Sequence, residues 1–249
     1  MAPSHSSDLK LTPHERELLL DIADAAIVDG FLGVRPSAPP DALLPGALRE
    51  HVGVFVTLTV DGQLNGCIGS IDGVEPLGHG AARHAWSAAF GDPRLPRLRP
   101  VDYSRLRIEV SVLSPLTALL AVSRHQVLDQ LRPGVDGLVI AAGCRRGLFL
   151  PAMWEQLPGP EVFLDHLLLK VGLVPGWWPE GMRAWRFTAE TFARDVGKQP
   201  NPSPGCLSQA GPSNCSAAVT TSSGGNARRA VEAAKRLVEQ AQQKLNAAL

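Results

Sequence analysis

Residues 12–30 carry the clearest helical pattern in the chain. Thr12 and Glu15 form a capping box, with Pro13 at the first helical position. Apolar side chains then recur at three- and four-residue steps and share one face. These side chains are Leu18, Leu19, Ile22, Ala25 and Ala26. The pattern predicts a helix that begins after Thr12 and ends at Gly30.

Strand-like alternation follows in residues 53–71 and predicts a β-hairpin. Residues 53–60 are rich in β-branched side chains, and Asp61-Gly62 is a strong turn signal. Residues 63–71 then run back as the second strand. The hairpin places a cysteine, Cys67, on its return strand.

Glycines lie close to this cysteine. Strict alternation puts Asn65, Cys67 and Gly69 on one face of the return strand and Gly66 on the other. Glycines in a strand expose the backbone to a close neighbour. The pattern therefore predicts room for a ligand beside the thiol, with Asn65, Gly66 and Gly69 among its contacts.

The rest of residues 12–197 alternates between helical and strand-like segments. One strand has a regular pattern, because Leu106, Ile108, Val110 and Val112 alternate with polar residues that include Glu109. In chain order, the predicted elements are a helix at 76–90, a turn at 91–94, a strand at 105–113, a short helix at 124–131, a hairpin at 138–150 with its turn at 143–147, a helix at 161–171 and a strand at 185–187.

The remaining residues divide the chain further. Residues 1–11 are expected to form a flexible N-terminus, and residues 12–197 one domain. Proline, serine, glycine, threonine and asparagine dominate residues 198–226, which predicts a disordered linker. Residues 227–249 have apolar side chains at three- and four-residue steps, which predicts an amphipathic helix. This helix either docks on the domain or on a partner, or it is a weakly helical extension without a role; the sequence leaves both alternatives equally open.

Composition excludes several classes of protein. The chain has 249 residues and 45% hydrophobic residues, enough for a substantial core. Its longest apolar runs fall far short of the roughly 20 residues that cross a bilayer, so no membrane span is expected. The polar N-terminus favours a cytoplasmic protein. The net charge is +0, and the slightly acidic domain lacks the basic surface typical of nucleic-acid binding.

Four cysteines, Cys67, Cys144, Cys206 and Cys215, are widely spaced and include no Cys-x-x-Cys pair. This spacing argues against a disulfide framework or a zinc finger. His79 and His84 lie on the predicted helix at 76–90, but a separation of five residues does not place them on one helix face and so does not suit a metal site. We therefore predict no metal, and the sequence identifies no cofactor.

Cys67 is the best candidate nucleophile, because a nearby cation can stabilise its thiolate. Arg94, His84, Arg145 and Arg146 are candidates for that nearby cation or base. The three arginines are also candidates for binding an anionic group. Glu109 is a candidate general base. Each residue also has a plain structural interpretation: a packed small cysteine, a turn or surface arginine, and a salt-bridged carboxylate.

Five segments resemble the AMMECR family in the family's own order. They are residues 64–70 (LNGCIGS), 88–94 (AAFGDPR), 108–115 (IEVSVLSP), 131–138 (LRPGVDGL), and 145–151 (RRGLFLP) with 154–157 (WEQL). The resemblance spans roughly residues 12–195. It implies an α+β fold, a two-lobed AMMECR-like domain with mainly antiparallel sheets flanked by helices.

Bacterial members of that family are labelled AmmeMemoRadiSam system protein A. The resemblance implies a pathway shared with a MEMO-like protein and a radical SAM enzyme, but no established reaction. The family usually has arginine where this chain has Asn65, which removes one cation beside Cys67. Two hypotheses follow: an accessory or pathway component, and a small-molecule enzyme that uses Cys67 as a thiolate with Glu109 and arginines.

Overall fold

The computed structural model describes residues 10–36, 39–121 and 123–197. The predicted linker and C-terminal helix, at 198–226 and 227–249, lie outside these residues. The helices are α1 (Pro13–Phe31), α2 (Leu77–Phe90), α3 (Arg124–Gln130) and α4 (Pro160–Lys170). The strands are β1 (Val54–Val60), β2 (Gln63–Ser70), β3 (Leu106–Leu113), β4 (Thr117–Leu119), β5 (Gly137–Ala142), β6 (Arg145–Phe149), β7 (Arg183–Phe187) and β8 (Ala189–Asp195).

The first lobe is an antiparallel sheet of order β2-β1-β3-β8, with α1 and α2 packed on one face. The alternating apolar residues of β1 and β3 point into this helix-covered core, as the sequence predicted. The capping box of α1 is present, since the Thr12 hydroxyl accepts from the Glu15 amide and the Glu15 carboxylate accepts from the Thr12 amide. The tight hairpin turn has φ of 51° at Asp61 and 77° at Gly62, the paired left-handed conformation that Asp-Gly favours.

The second lobe is an antiparallel sheet of order β4-β7-β5-β6, with α3 and α4 beside it. Its core contains Leu138 and Ile140 from the sheet and Phe163 and Leu167 from α4. Trp154 stacks on Phe163 with ring centroids 3.9 Å apart. The prediction of an α+β protein with two mainly antiparallel sheets is confirmed.

A small apolar cluster joins the lobes. Its buried residues are Leu113, Val139 and Phe187, and Phe55 and Leu148 are among the residues packed around them. The chain passes from β3 into the second sheet and returns to the first at β8, so the lobes share two strand connections. The face of the first sheet opposite its helices therefore meets the second lobe.

The structure differs from the predicted elements in three places. Strands β4 and β8 were not predicted; both are edge strands, whose exposed sides carry polar residues that weaken the alternating pattern. The second hairpin also has a tighter turn than expected, formed by Gly143 and Cys144 alone. Arg145 and Arg146 consequently lie on strand β6, and the prediction of a five-residue turn containing them is wrong.

Candidate functional site

Three polar side chains form a row across the first sheet. Cys67 on β2 pairs with Thr57 on β1, and Thr57 pairs with Glu109 on β3. Directly opposed residues share one face of an antiparallel sheet. We call Cys67, Thr57 and Glu109 the Cys67 row; all three are half-buried. The row lies on the same sheet face as Phe55, and hence on the side of the second lobe.

The thiol and backbone of Cys67 have defined partners. The Thr57 hydroxyl donates to Cys67 Sγ at 3.4 Å. The Cys67 amide donates to Asp92 Oδ2 at 3.1 Å, and the Cys67 carbonyl accepts from Arg94 Nη2 at 2.7 Å. The predicted proximity of Arg94 to Cys67 is thus present as a direct backbone hydrogen bond.

Asp92 holds Arg94 in this position. Its carboxylate accepts from Arg94 Nε at 2.9 Å and from Arg94 Nη2 at 2.7 Å, in addition to the Cys67 amide. The Asp92 side chain is 1% exposed and that of Arg94 is 63% exposed. The hydrogen bonds from Arg94 lower the pKa of Asp92 well below its usual range, against the effect of burial. A buried carboxylate therefore fixes a cation that remains accessible to solvent.

Lys170 adds a second cation from the other lobe. It ends α4, and its Nζ donates to the Leu148 carbonyl at 2.9 Å. Partial burial and the positive charge of Arg94 lower the pKa of Lys170, while the thiolate form of Cys67 raises it. Their opposite directions are those expected of a cation and a thiolate in the neighbourhood of the ammonium.

Glu109 lies two strands from the thiol. Burial is the main effect that raises the pKa of its carboxyl group; Glu155 of the second lobe raises it further, and Arg107 lowers it. A carboxyl group with a raised pKa can exchange protons closer to neutral pH. Glu109 thus shares the sheet face of Cys67 and has a carboxyl group whose pKa is raised by burial.

The glycines near Cys67 have a packing role. A Cβ atom on Gly66 would overlap the carbonyl oxygen of Ala88 in α2, and one on Gly69 would overlap the Phe55 ring. The space expected for a ligand at these two glycines is thus filled by protein. The reason is local, because α2 and Phe55 approach the backbone more closely than any side chain would permit.

Asn65 departs from strict alternation. The register shifts between Leu58 and Thr59, so that Leu58 pairs with Gly66 and Thr59 with Leu64. Asn65 is the extra residue of this bulge. Its Nδ2 donates to the Pro96 carbonyl at 3.4 Å. The regular alternation from which the sequence placed Asn65 on the Cys67 face is therefore interrupted at this residue.

Other candidate cations are engaged elsewhere. Arg145 donates to the Gly172 carbonyl, and Arg146 forms an ion pair with Asp72 at 3.3 Å. The structure thus places Arg146 at a bridge between the lobes, and it shows no direct contact of either arginine with Cys67 within the described residues.

His84 was another predicted neighbour of the thiol. It is buried in α2, beside Arg83, with one ring nitrogen 3.2 Å from the Arg83 guanidinium. Burial, reinforced by Arg83, lowers its pKa to about 4. The imidazole is therefore neutral at pH 7 and supplies no positive charge to a thiolate.

Sequence reasoning undervalued Asp92 and missed Lys170. The Asp-Pro-Arg sequence at residues 92–94 was interpreted as a local turn, and its turn geometry hides a carboxylate that binds the Cys67 amide across 25 residues. Lys170 is the last residue of α4, and no sequence motif around it indicates a functional role. Only the packing of the two lobes places it on the side of the first sheet that carries the row.

No group of three or more His, Cys, Asp or Glu side chains in residues 10–36, 39–121 and 123–197 is arranged to hold a metal ion. None of the helices found there is both long enough and apolar enough to cross a membrane.

Comparison with known proteins gives one consistent family. The AMMECR1 family model matches residues 20–192. A protein of Methanothermobacter thermautotrophicus is 38% identical over 191 residues, covering 74% of this chain and 97% of the relative. A Methanopyrus kandleri protein is 35% identical over 202 residues, covering 77% of this chain and 94% of the relative.

A solved structure has the same fold. The crystal structure of an uncharacterised protein from Pyrococcus horikoshii superposes with a TM-score of 0.70 at 31% sequence identity. The match covers 77% of this chain and 97% of that protein. The two-lobed architecture is therefore shared over nearly the whole length of that relative.

Proposed function

The chain belongs to the AMMECR1 family, and from this premise we propose that it binds a small anionic molecule at the Cys67 row as a pathway component. In this proposal its functional partners are a MEMO-like protein and a radical SAM enzyme. The observation that carries the binding site is Arg94, whose exposed guanidinium is held beside Cys67 by the buried carboxylate of Asp92.

The arrangement of Arg94 suits recognition of an anion. Its Nε and Nη2 are bound by Asp92 and the Cys67 carbonyl, and Nη1 has no acceptor within the described part of the chain. A guanidinium that is already oriented loses less side-chain entropy when a ligand binds. A carboxylate or phosphate on Nη1 would stand close to the thiol of Cys67.

Alkylation of Cys67 by two reagents tests the site. Iodoacetate is anionic and iodoacetamide is neutral, and both attack the same thiolate. The ratio of their rates therefore reports the local positive charge and not the amount of thiolate. Peptide-resolved mass spectrometry follows Cys67, with the exposed Cys144 as an internal reference.

We expect Arg94→Gln to lower the iodoacetate to iodoacetamide ratio at Cys67 about threefold to fivefold, the effect of removing a unit charge at short range near a surface. Arg97→Gln is the matched control, because Arg97 is an exposed arginine of the same loop. Equal ratios in the two variants would refute an anion site built on Arg94.

The pathway role has a separate test. The tagged chain is purified from its native cell, with and without residues 227–249, and co-purifying proteins are identified. Recovery of a MEMO-like or radical SAM protein supports the role. Recovery of the full chain alone, at native expression and after mild cross-linking, would count against it.

A second candidate function is catalysis by the Cys67 thiolate. The specific observation is the raised pKa of Glu109, a carboxyl group in line with Thr57 and Cys67. In this hypothesis the Cys67 thiol gives its proton to Glu109 and adds to an electrophilic carbon of the bound molecule, and Glu109 returns the proton to the atom that gains the electron pair. Cys67→Ser and Glu109→Gln should then each abolish cellular function while the protein remains folded; full function in both variants would exclude catalysis by this pair.

A further inference from the structure

The last turn of α4 presents a positioned ammonium group at the boundary between the lobes. Lys170 Nζ donates to the Leu148 carbonyl and lies 5.1 Å from the centroid of the Phe149 ring. A carbonyl and the face of an aromatic ring both attract a cation. Because an ammonium has three N–H donors, the bond to Leu148 leaves two for another acceptor.

Packing places this ammonium on the side of the first sheet that carries the Cys67 row. Leu148, whose carbonyl binds Lys170, belongs to the cluster between the lobes that also includes Phe55. Phe55 pairs with Gly69, two residues from Cys67, on the face that carries the row. Arg94 and the thiolate form of Cys67 both act on the pKa of Lys170, in opposite directions, which agrees with this placement. Arg94 and Lys170 thus approach the thiol from different lobes.

Asp92 offsets the charge of Arg94, but no Asp or Glu of the described residues forms an ion pair with Lys170, so the group as a whole keeps a net positive charge. Asp92 is buried and already accepts from Arg94 and the Cys67 amide. Glu109 has a raised pKa, and its named electrostatic neighbours are Arg107 and Glu155. Two like charges held near each other repel, and an anion placed between them would relieve that repulsion.

We infer that Arg94 and Lys170 together bind one oxyanionic group of a small molecule, so that the ligand spans the two lobes beside the Cys67 thiol. The free amino group of Arg94 and the two remaining N–H donors of Lys170 match the several acceptor oxygens of a carboxylate or phosphate. This inference rests on the proposed anion site at Arg94 and adds Lys170 to it as a second cationic donor. Lys170 thereby selects for an oxyanion whose acceptor oxygens can face both lobes at once.

The alkylation ratio at Cys67 tests this inference in the full chain. Lys170→Gln removes the charge, Lys170→Arg keeps it, and Lys10→Gln is a control at an exposed lysine of the first lobe. Iodoacetate is the anionic probe. We expect Lys170→Gln to lower the ratio about threefold, with Lys170→Arg and Lys10→Gln close to the unmodified chain.

The outcomes separate the inference from the proposed function. A lower ratio in both Lys170→Gln and Arg94→Gln, restored by Lys170→Arg, supports the two-lobe site. A lower ratio in Arg94→Gln alone overturns the inference and leaves the Arg94 site intact. Unchanged ratios in both variants overturn both proposals. A fall in Lys170→Arg equal to that in Lys170→Gln assigns Lys170 a structural role and also overturns the inference.

Discussion

Replacement of Asp92 by asparagine removes the charge that holds Arg94 beside Cys67. The carboxylate accepts from the Cys67 amide and from the Arg94 backbone amide, Nε and Nη2, at 2.7–3.1 Å. Asparagine is nearly isosteric with aspartate, but its NH2 group would face N–H groups of Arg94 or Cys67, which are themselves donors. The variant therefore tests the charge and its hydrogen bonds rather than the shape.

The expected loss of unfolding free energy depends on how deeply each partner of the Asp92–Arg94 ion pair is buried. A hydrogen bond to a charged group contributes about 1.5–3 kcal/mol, and losing one partner of a fully buried ion pair costs about 3–5 kcal/mol. Arg94 is 63% exposed, so water can solvate its guanidinium after the loss. We therefore expect the free energy of unfolding of Asp92→Asn to fall by about 2–3 kcal/mol at pH 7.

Urea unfolding of the unmodified chain and of Asp92→Asn measures this difference. The control is Asp72→Asn, because the Asp72–Arg146 ion pair is largely exposed on both sides and should contribute less than about 1 kcal/mol. Equal losses in the two variants would refute the assignment of a special role to the buried carboxylate.

The pH dependence gives an independent check. The pKa of Asp92 is lowered in the folded protein, so its stabilisation is complete above the ordinary carboxyl pKa of about 3.9. It is lost as the pH falls below that value through the folded pKa. The difference between the unmodified chain and Asp92→Asn should be constant from neutral pH down to about pH 5 and shrink below about pH 4; a difference independent of pH would contradict this reasoning.

The packing of Gly66 and the protonation of His84 give two further tests. Gly66→Ala should lower the free energy of unfolding by about 2–3 kcal/mol, because the added methyl group overlaps the Ala88 carbonyl. Gly159→Ala is the control, since its methyl group meets only ordinary contacts, and an equal loss of stability in the two variants would refute close packing at Gly66. His84 should titrate near pH 4 by NMR, and the stability that its neutral form supports should be complete above about pH 6.5 and decline as the pH falls towards 4. A titration near pH 6.5 would show that its ring is not desolvated beside Arg83.

Much of the first lobe follows from local sequence. Asp61-Gly62 specifies the hairpin because it accommodates positive φ at both turn positions. The alternation of β3 specifies which of its side chains enter the core, and therefore places Glu109 on the opposite face. Since the period of a strand is two, these assignments need no knowledge of the partner strands.

Edge strands and bulges do not follow from sequence in this way. Strand β8 forms because β3 offers an unpaired edge, while its own residues, AETFARD, lack a clear alternation. Asn65 leaves the alternating pattern because the hairpin contains an extra residue on β2. In both cases the pairing energy comes from the neighbouring strand, so it is not encoded in the segment itself.

The sequence alone determined that Cys67 lies on a return strand and that Arg94 is the last residue of a turn. Only the tertiary structure decided what surrounds the thiol. Gly66 and Gly69 turned out to admit a helix and an aromatic ring, while Asp92 and Lys170 reach the site across 25 and 103 residues of chain. Local periodicity sets which face a residue occupies, whereas the electrostatics of a site depend on distances that exist only after the two lobes pack together.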